Sequence, residues 1–153
     1  MILKIALAAS SLIIDPCPID KIIDKLEIIE SGGDCEEVGD NGRAVGCLQI
    51  WPIMVQECNR ILNREEFTLD DRKSRARSRM MAKVFLTRQY YSWNAKYKHR
   101  PGEDLLACSW NSGSIFKHVN IRYLEKYKRL PDPVKPISNK AMINQGQKKP
   151  RVE

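Results

Sequence analysis

A helix forced to stop at a glycine pair, followed at once by a glycine-rich turn, sets the geometry of residues 28–51, IIESGGDCEEVGDNGRAVGCLQIW. Upstream, Ile19, Ile22, Ile23, Leu26 and Ile29 recur at helical spacing, which predicts one buried helix face. Gly32 and Gly33 accept the left-handed backbone that ends helices. Glu30 therefore falls in the last turn, four residues after Leu26 and seven after Ile23, at the edge of the apolar face. Partial desolvation and the negative end of the helix dipole both disfavour a carboxylate there, so its pKa is expected above the usual range. An acid that keeps its proton near neutral pH can protonate a leaving oxygen, as glycoside cleavage requires. The plainer alternative is a solvated glutamate at a helix end.

Residues 39–50 carry three glycines and an Asp-Asn pair, which favour tight turns with positive φ and predict a hairpin-like lobe. Asp40 is the only aspartate of that lobe, ten residues beyond Glu30. It is either a supporting acid or an ordinary turn residue. Glu30-Ser31, the glycine-rich stretch and Gly46-Cys47-Leu48-Gln49-Ile50 together resemble the "E-S … G-x-x-G-L-M-Q-I" signature of soluble-lytic-transglycosylase-like domains and goose-type lysozymes. Ala107-Cys108-Ser109-Trp110-Asn111-Ser112-Gly113 is similar to the "A-x-A-Y-N-x-G" block of the same family, with Trp110 where the motif has tyrosine.

The resemblance implies a mainly α-helical, lysozyme-like α+β domain, with helices bundled about a central one and a small hairpin lobe at the cleft. It also implies cleavage of the β-1,4 bond between N-acetylmuramic acid and N-acetylglucosamine, with Glu30 as general acid and base. Asp40 resembles the aspartate of the goose-type "G-D-x-G" loop, whereas Trp51 stands where those enzymes carry a further aspartate. One supporting acid present and one missing favours a lytic transglycosylase, in which the substrate's own hydroxyl attacks and an anhydro sugar forms. A hydrolase using Asp40 is the alternative, and a non-catalytic wall-binding protein is a third reading. Ser31 and Gln49 match family positions that orient the substrate or the catalytic carboxyl. Asn111 matches the motif asparagine near the saccharide subsites, with Trp110 offering a flat face beside it. No cofactor is implied. The implied partner is the peptidoglycan glycan strand, and the chain is read as a monomer.

The rest of the chain is organised around this block. The 153 residues suit one domain able to bury a core, bounded as 15–130, with 26 lysines and arginines against 19 acids for a net charge of +7. That surface favours polyanions without choosing among nucleic acid, anionic lipid and bacterial wall. Residues 1–14 have the charge and apolar run of a short signal peptide, although Asp15-Pro16 follows directly; a packed N-terminal element is the other reading. Residues 131–153, with four prolines and many lysines, read as a disordered basic tail. No run of eighteen apolar residues occurs, so stable membrane insertion is not expected.

Five cysteines, Cys17, Cys35, Cys47, Cys58 and Cys108, favour an oxidising compartment: secreted, periplasmic or wall-associated. Spacing leaves the pairing open, though a Cys35–Cys47 bridge would pin the lobe, and the odd count leaves one thiol over. With no C-x-x-C and two histidines, no zinc or other metal site is expected. Helices are predicted from Pro52, with Val55 and Cys58 on its apolar stripe, over 72–95, over 103–110 and over 120–130, the last carrying Ile121, Tyr123, Leu124 and Tyr127 inward. The longest, 72–95, is expected to bury Ala76, Met80, Val84, Thr87 and Tyr91, with Met81 and Phe85 widening the face. Its many arginines and lysines read as a solvated face, since no nucleic-acid motif accompanies them and no specific nucleic-acid partner is expected. Tyr90 and Trp93, near its end, are candidates for stacking on sugars, with a core role as the alternative.

Overall fold

The computed structural model describes residues 19–133. The suggested signal peptide 1–14, Cys17 and nearly all of the basic tail lie outside them. The described chain is mainly helical: α1 (Ile19–Ser31), α2 (Pro52–Leu62), α3 (Arg75–Tyr97), α4 (Glu103–Ser112) and α5 (Ile121–Arg129). Between α1 and α2 lies one antiparallel pair, β1 (Val38–Gly39) with β2 (Ala44–Val45), registered Val38 to Val45 and Gly39 to Ala44.

Helix α1 folds as its apolar spacing demands, with Ile22, Ile23 and Leu26 fully buried. Beyond Ser31 the amides of Gly32 and Gly33 donate to the carbonyls of Ile28 and Glu27, closing the helix end. Helix α2 starts at Pro52, whose missing N–H costs nothing in a first turn, and buries Val55, Cys58 and Asn59. The Asn59 side chain donates to the Phe67 carbonyl and accepts from the Phe67 amide, both at 2.8 Å, and so fastens the loop between α2 and α3.

Helix α3 packs against α1, α2 and α4. Its buried face differs from the expected stripe: Ser78, Met81, Ala82, Phe85, Leu86, Gln89 and Tyr90 point inward, while Ala76, Met80 and Tyr91 are exposed. The reason is polar. Ser78 Oγ donates to the Arg72 carbonyl at 2.8 Å, and Gln89 Oε1 accepts the Ile115 amide at 2.9 Å. Two hydrogen-bonded polar side chains thus occupy core positions that a hydrophobicity pattern assigns to solvent. The helix also begins at Arg75, behind the Ser74 cap, because Asp70–Lys73 forms a separate 3-10 turn. Helix α5 buries Tyr123 and Tyr127 as expected, but Ile121 is 62% exposed in its first turn.

The core contains Ile22, Ile23, Leu26, Leu48, Phe85, Leu86, Leu106 and Trp110. Phe85 meets Trp110 edge to face, with centroids 5.7 Å apart, so α3 braces α4 at the point where α4 turns toward the lobe. Phe85→Ala is expected to cost about 3–5 kcal/mol of stability, read as a lower urea midpoint at unchanged slope.

Candidate active site

The lobe is built by turns that force the backbone into the left-handed region. Asp40, Asn41 and Gly42 have φ of 49°, 56° and 86°, carrying the chain from β1 to β2. A second reversal follows at Gly46 (φ 83°), after which Ile50 exchanges amide and carbonyl hydrogen bonds with Val45. Gly46 is required twice over, since a Cβ there would also stand 2.0 Å from the Arg72 carbonyl oxygen. At Gly39 a Cβ would stand 2.4 Å from Gln49 Oε1, so a larger residue there would displace the Gln49 amide.

One disulfide and four hydrogen bonds hold the lobe in place. A disulfide joins Cys35 to Cys47. Ser31 Oγ donates to the Cys47 carbonyl at 2.8 Å, and Trp110 Nε1 donates to the Leu48 carbonyl at 3.3 Å. Arg72 Nη1 donates to the carbonyls of Arg43 and Ile50 at 3.1 and 3.3 Å.

The lobe and the end of α1 enclose a cavity of about 310 Å³ lined by Glu30, Gly39, Asp40, Ala44, Gln49, Trp51, Trp110 and Asn111. It runs into a larger one of about 690 Å³ that shares Gln49, Trp51, Trp110 and Asn111 and continues past Met54, Glu57, Gly113 and Lys117. The two form one groove, with Glu30 and Asp40 in its inner compartment.

Glu30 is half-buried and accepts a 2.6 Å hydrogen bond from the Tyr123 hydroxyl. Burial raises its pKa above the ordinary glutamate value. The Tyr123 hydrogen bond and the charge of Lys126 pull it down in part, while the charge of Asp40 adds to the rise. Tyr123 is itself pushed up, first by burial and then by Glu30, so it stays a donor. The geometry sets a protonatable carboxyl and a second carboxylate in one compartment.

The predicted site residues divide into two groups. Glu30, Asp40, Gln49, Trp110 and Asn111 share the inner compartment. Gln49 Nε2 is committed to the carbonyls of Gly46 and Glu37 at 3.0 and 3.2 Å, and Asn111 Oδ1 accepts from Asn120 Nδ2 at 3.2 Å. Ser31 lines neither compartment, its hydroxyl being spent on anchoring the lobe. Tyr90 is buried against the edge of Tyr91, and Trp93 stacks with Phe116 and Tyr97. Neither lines the groove. Sequence reasoning turned Tyr123 inward but missed its pairing with Glu30, because 93 residues separate the two and no local pattern links them. Trp51 and Met54 as groove walls were missed likewise.

Compared with models of protein families, with curated proteins and with solved structures, the chain matches none. Among the described residues no three His, Cys, Asp or Glu side chains are grouped to hold a metal ion, and no helix is long and apolar enough to cross a membrane.

The raised pKa of Glu30 has a stability signature. Between the ordinary and the raised value the folded chain binds more protons than the unfolded one, so stability is full below the ordinary value and falls as pH rises through the raised one. Glu30→Gln, neutral throughout, is therefore expected to be more stable than the parent at alkaline pH and equal to it well below the glutamate range, in paired denaturation curves.

Proposed function

We propose that the protein cleaves the glycan strand of peptidoglycan between N-acetylmuramic acid and N-acetylglucosamine as a lytic transglycosylase. The observation that carries this reading is the half-buried Glu30, its pKa raised by burial, on the wall of a groove that also holds Asp40. The sequence blocks that resemble the lytic transglycosylase signature contribute Glu30, Gln49, Trp110 and Asn111 to that same compartment.

Glu30 donates its proton to the glycosidic oxygen as the bond to the anomeric carbon breaks. The Tyr123 hydrogen bond holds the carboxyl in place and steadies the carboxylate left behind. That carboxylate then takes the proton of the muramic acid 6-hydroxyl, whose oxygen closes on the anomeric carbon to give the 1,6-anhydro sugar. Asp40, negative beside the reacting centre, opposes the positive charge that develops on the ring. Indole and asparagine side chains along the groove suit sugar rings and N-acetyl groups. The Cys35–Cys47 bridge fits action in an oxidising compartment outside the cytosol.

A hydrolase is the second reading. It is favoured by one observation, that Asp40 is close enough to Glu30 to raise its pKa. There Asp40 would activate water or attack the anomeric carbon itself.

Mass spectrometry of fragments released from isolated peptidoglycan separates the readings. Anhydro-muramic ends, lighter by one water, are expected from the parent, and Glu30→Gln is expected to lower their release by about 100-fold or more. Ordinary reducing ends would establish the hydrolase, and no fragments from folded protein would overturn both. Tyr123→Phe removes a hydrogen bond that favours the charged carboxyl, so the alkaline limb of its pH–rate profile is expected to move to higher pH.

A further inference from the structure

Arg43 follows the Asp40–Gly42 turn and is exposed on the rim of the lobe. Its backbone amide and its Nε both donate to the Asp40 carbonyl, at 3.3 and 3.2 Å. Its guanidinium lies over the Trp51 ring, 4.5 Å from the centroid, and that indole lines both compartments of the groove. The backbone beneath is fixed too, since the Arg43 carbonyl accepts from Arg72. One nitrogen and one face of the fork are thereby occupied. Nη1 and Nη2 make no hydrogen bond or ion pair among the described residues.

An arginine restrained in this way differs from an ordinary surface arginine. Stacking on an aromatic face and the Nε contact have already restricted its rotamers, so little further freedom is lost when a ligand binds. The free edge of a guanidinium matches a carboxylate in a two-point, charge-assisted pair. The charge layout fixes where such a carboxylate would lie. Asp40 disfavours a carboxylate in the inner compartment, whereas Arg43 attracts it to the rim beside Trp51.

Resting on the glycan-cleaving reading above, we propose that Arg43, seated on Trp51, is a subsite for a carboxylate carried by the glycan strand. It selects acidic strands over neutral β-1,4-linked N-acetylglucosamine. The carboxylate has two sources with the same chemistry: the lactyl group of muramic acid once its peptide is removed, or an acidic residue of the attached peptide. Arg43 touches the substituent and not the reacting atoms, so it governs which strand is held.

The test measures calorimetric binding in the Glu30→Gln background, where strands are not cut. Three ligands are compared: peptide-bearing peptidoglycan strands, the same strands stripped by an amidase, and a hexamer of N-acetylglucosamine. Adding Arg43→Gln is expected to weaken binding of an acidic strand about ten-fold while leaving the hexamer unchanged. Arg43→Lys, which keeps the charge without the planar fork, is expected to recover part of the loss. Loss confined to peptide-bearing strands identifies a peptide carboxylate, and loss confined to stripped strands identifies the lactyl group. Equal weakening of all three ligands, or none, overturns the subsite while leaving the glycan-cleaving reading intact. Failure of the Glu30→Gln protein to bind any of the three overturns both.

Discussion

The segment from Gly46 to Ile50 is held on three sides, and the position of every lobe residue in the groove depends on that grip. Cys47 is bonded through sulfur to Cys35 and through its carbonyl to Ser31. Leu48 is fully buried, and its carbonyl is held by Trp110. Ile50 is paired with Val45 and capped by Arg72. Without these contacts a two-residue ladder would have little stability of its own, since isolated hairpins are marginal in water. Asp40 and Gln49 therefore share a compartment with Glu30 because α1, α4 and the turn before α3 each hold part of the lobe between Arg43 and Ile50.

The same economy governs charge in the body. Glu27 is almost fully buried, yet it receives Arg75 at 2.8 Å and Arg79 at 3.2 Å. A buried carboxylate is tolerated when its lone pairs are taken up in this way. Arginines of α3 that look like an undifferentiated basic face in sequence are thus partly consumed inside the protein: Arg77 pairs with Asp71 and Glu66, and Arg79 also with Asp24. The net charge of +7 overstates what α3 offers to a polyanion.

How far the sequence could be read follows from the range of each interaction. The end of α1, the turn at Asp40–Gly42 and the start at Pro52 depend on local backbone preference, and all three are legible from glycine, asparagine and proline positions. The buried face of α3 was not, because Ser78 and Gln89 are core residues only by virtue of partners on other segments. Site residues divide on the same line. Glu30 at a helix end is a local statement, whereas Tyr123 against Glu30, and Ser31 spent on Cys47, exist only after α5 and the lobe have docked. Tyr90 and Trp93 share a helix face rich in aromatics, and spacing alone does not distinguish a ring used in packing from one used on a ligand.

Cys58 and Cys108 are buried, unpaired thiols in the same chain as the bridge that pins the lobe. Burial pushes Cys58 up to about 12 and raises Cys108 as well, so neither supplies thiolate while the core is closed. Disulfide exchange requires thiolate attack and access to sulfur, and folding denies both. Each opening of the core releases two thiols that compete for Cys35 and Cys47. The covalent integrity of the cleft is thus a kinetic property, set by how rarely α2, α3 and α4 separate.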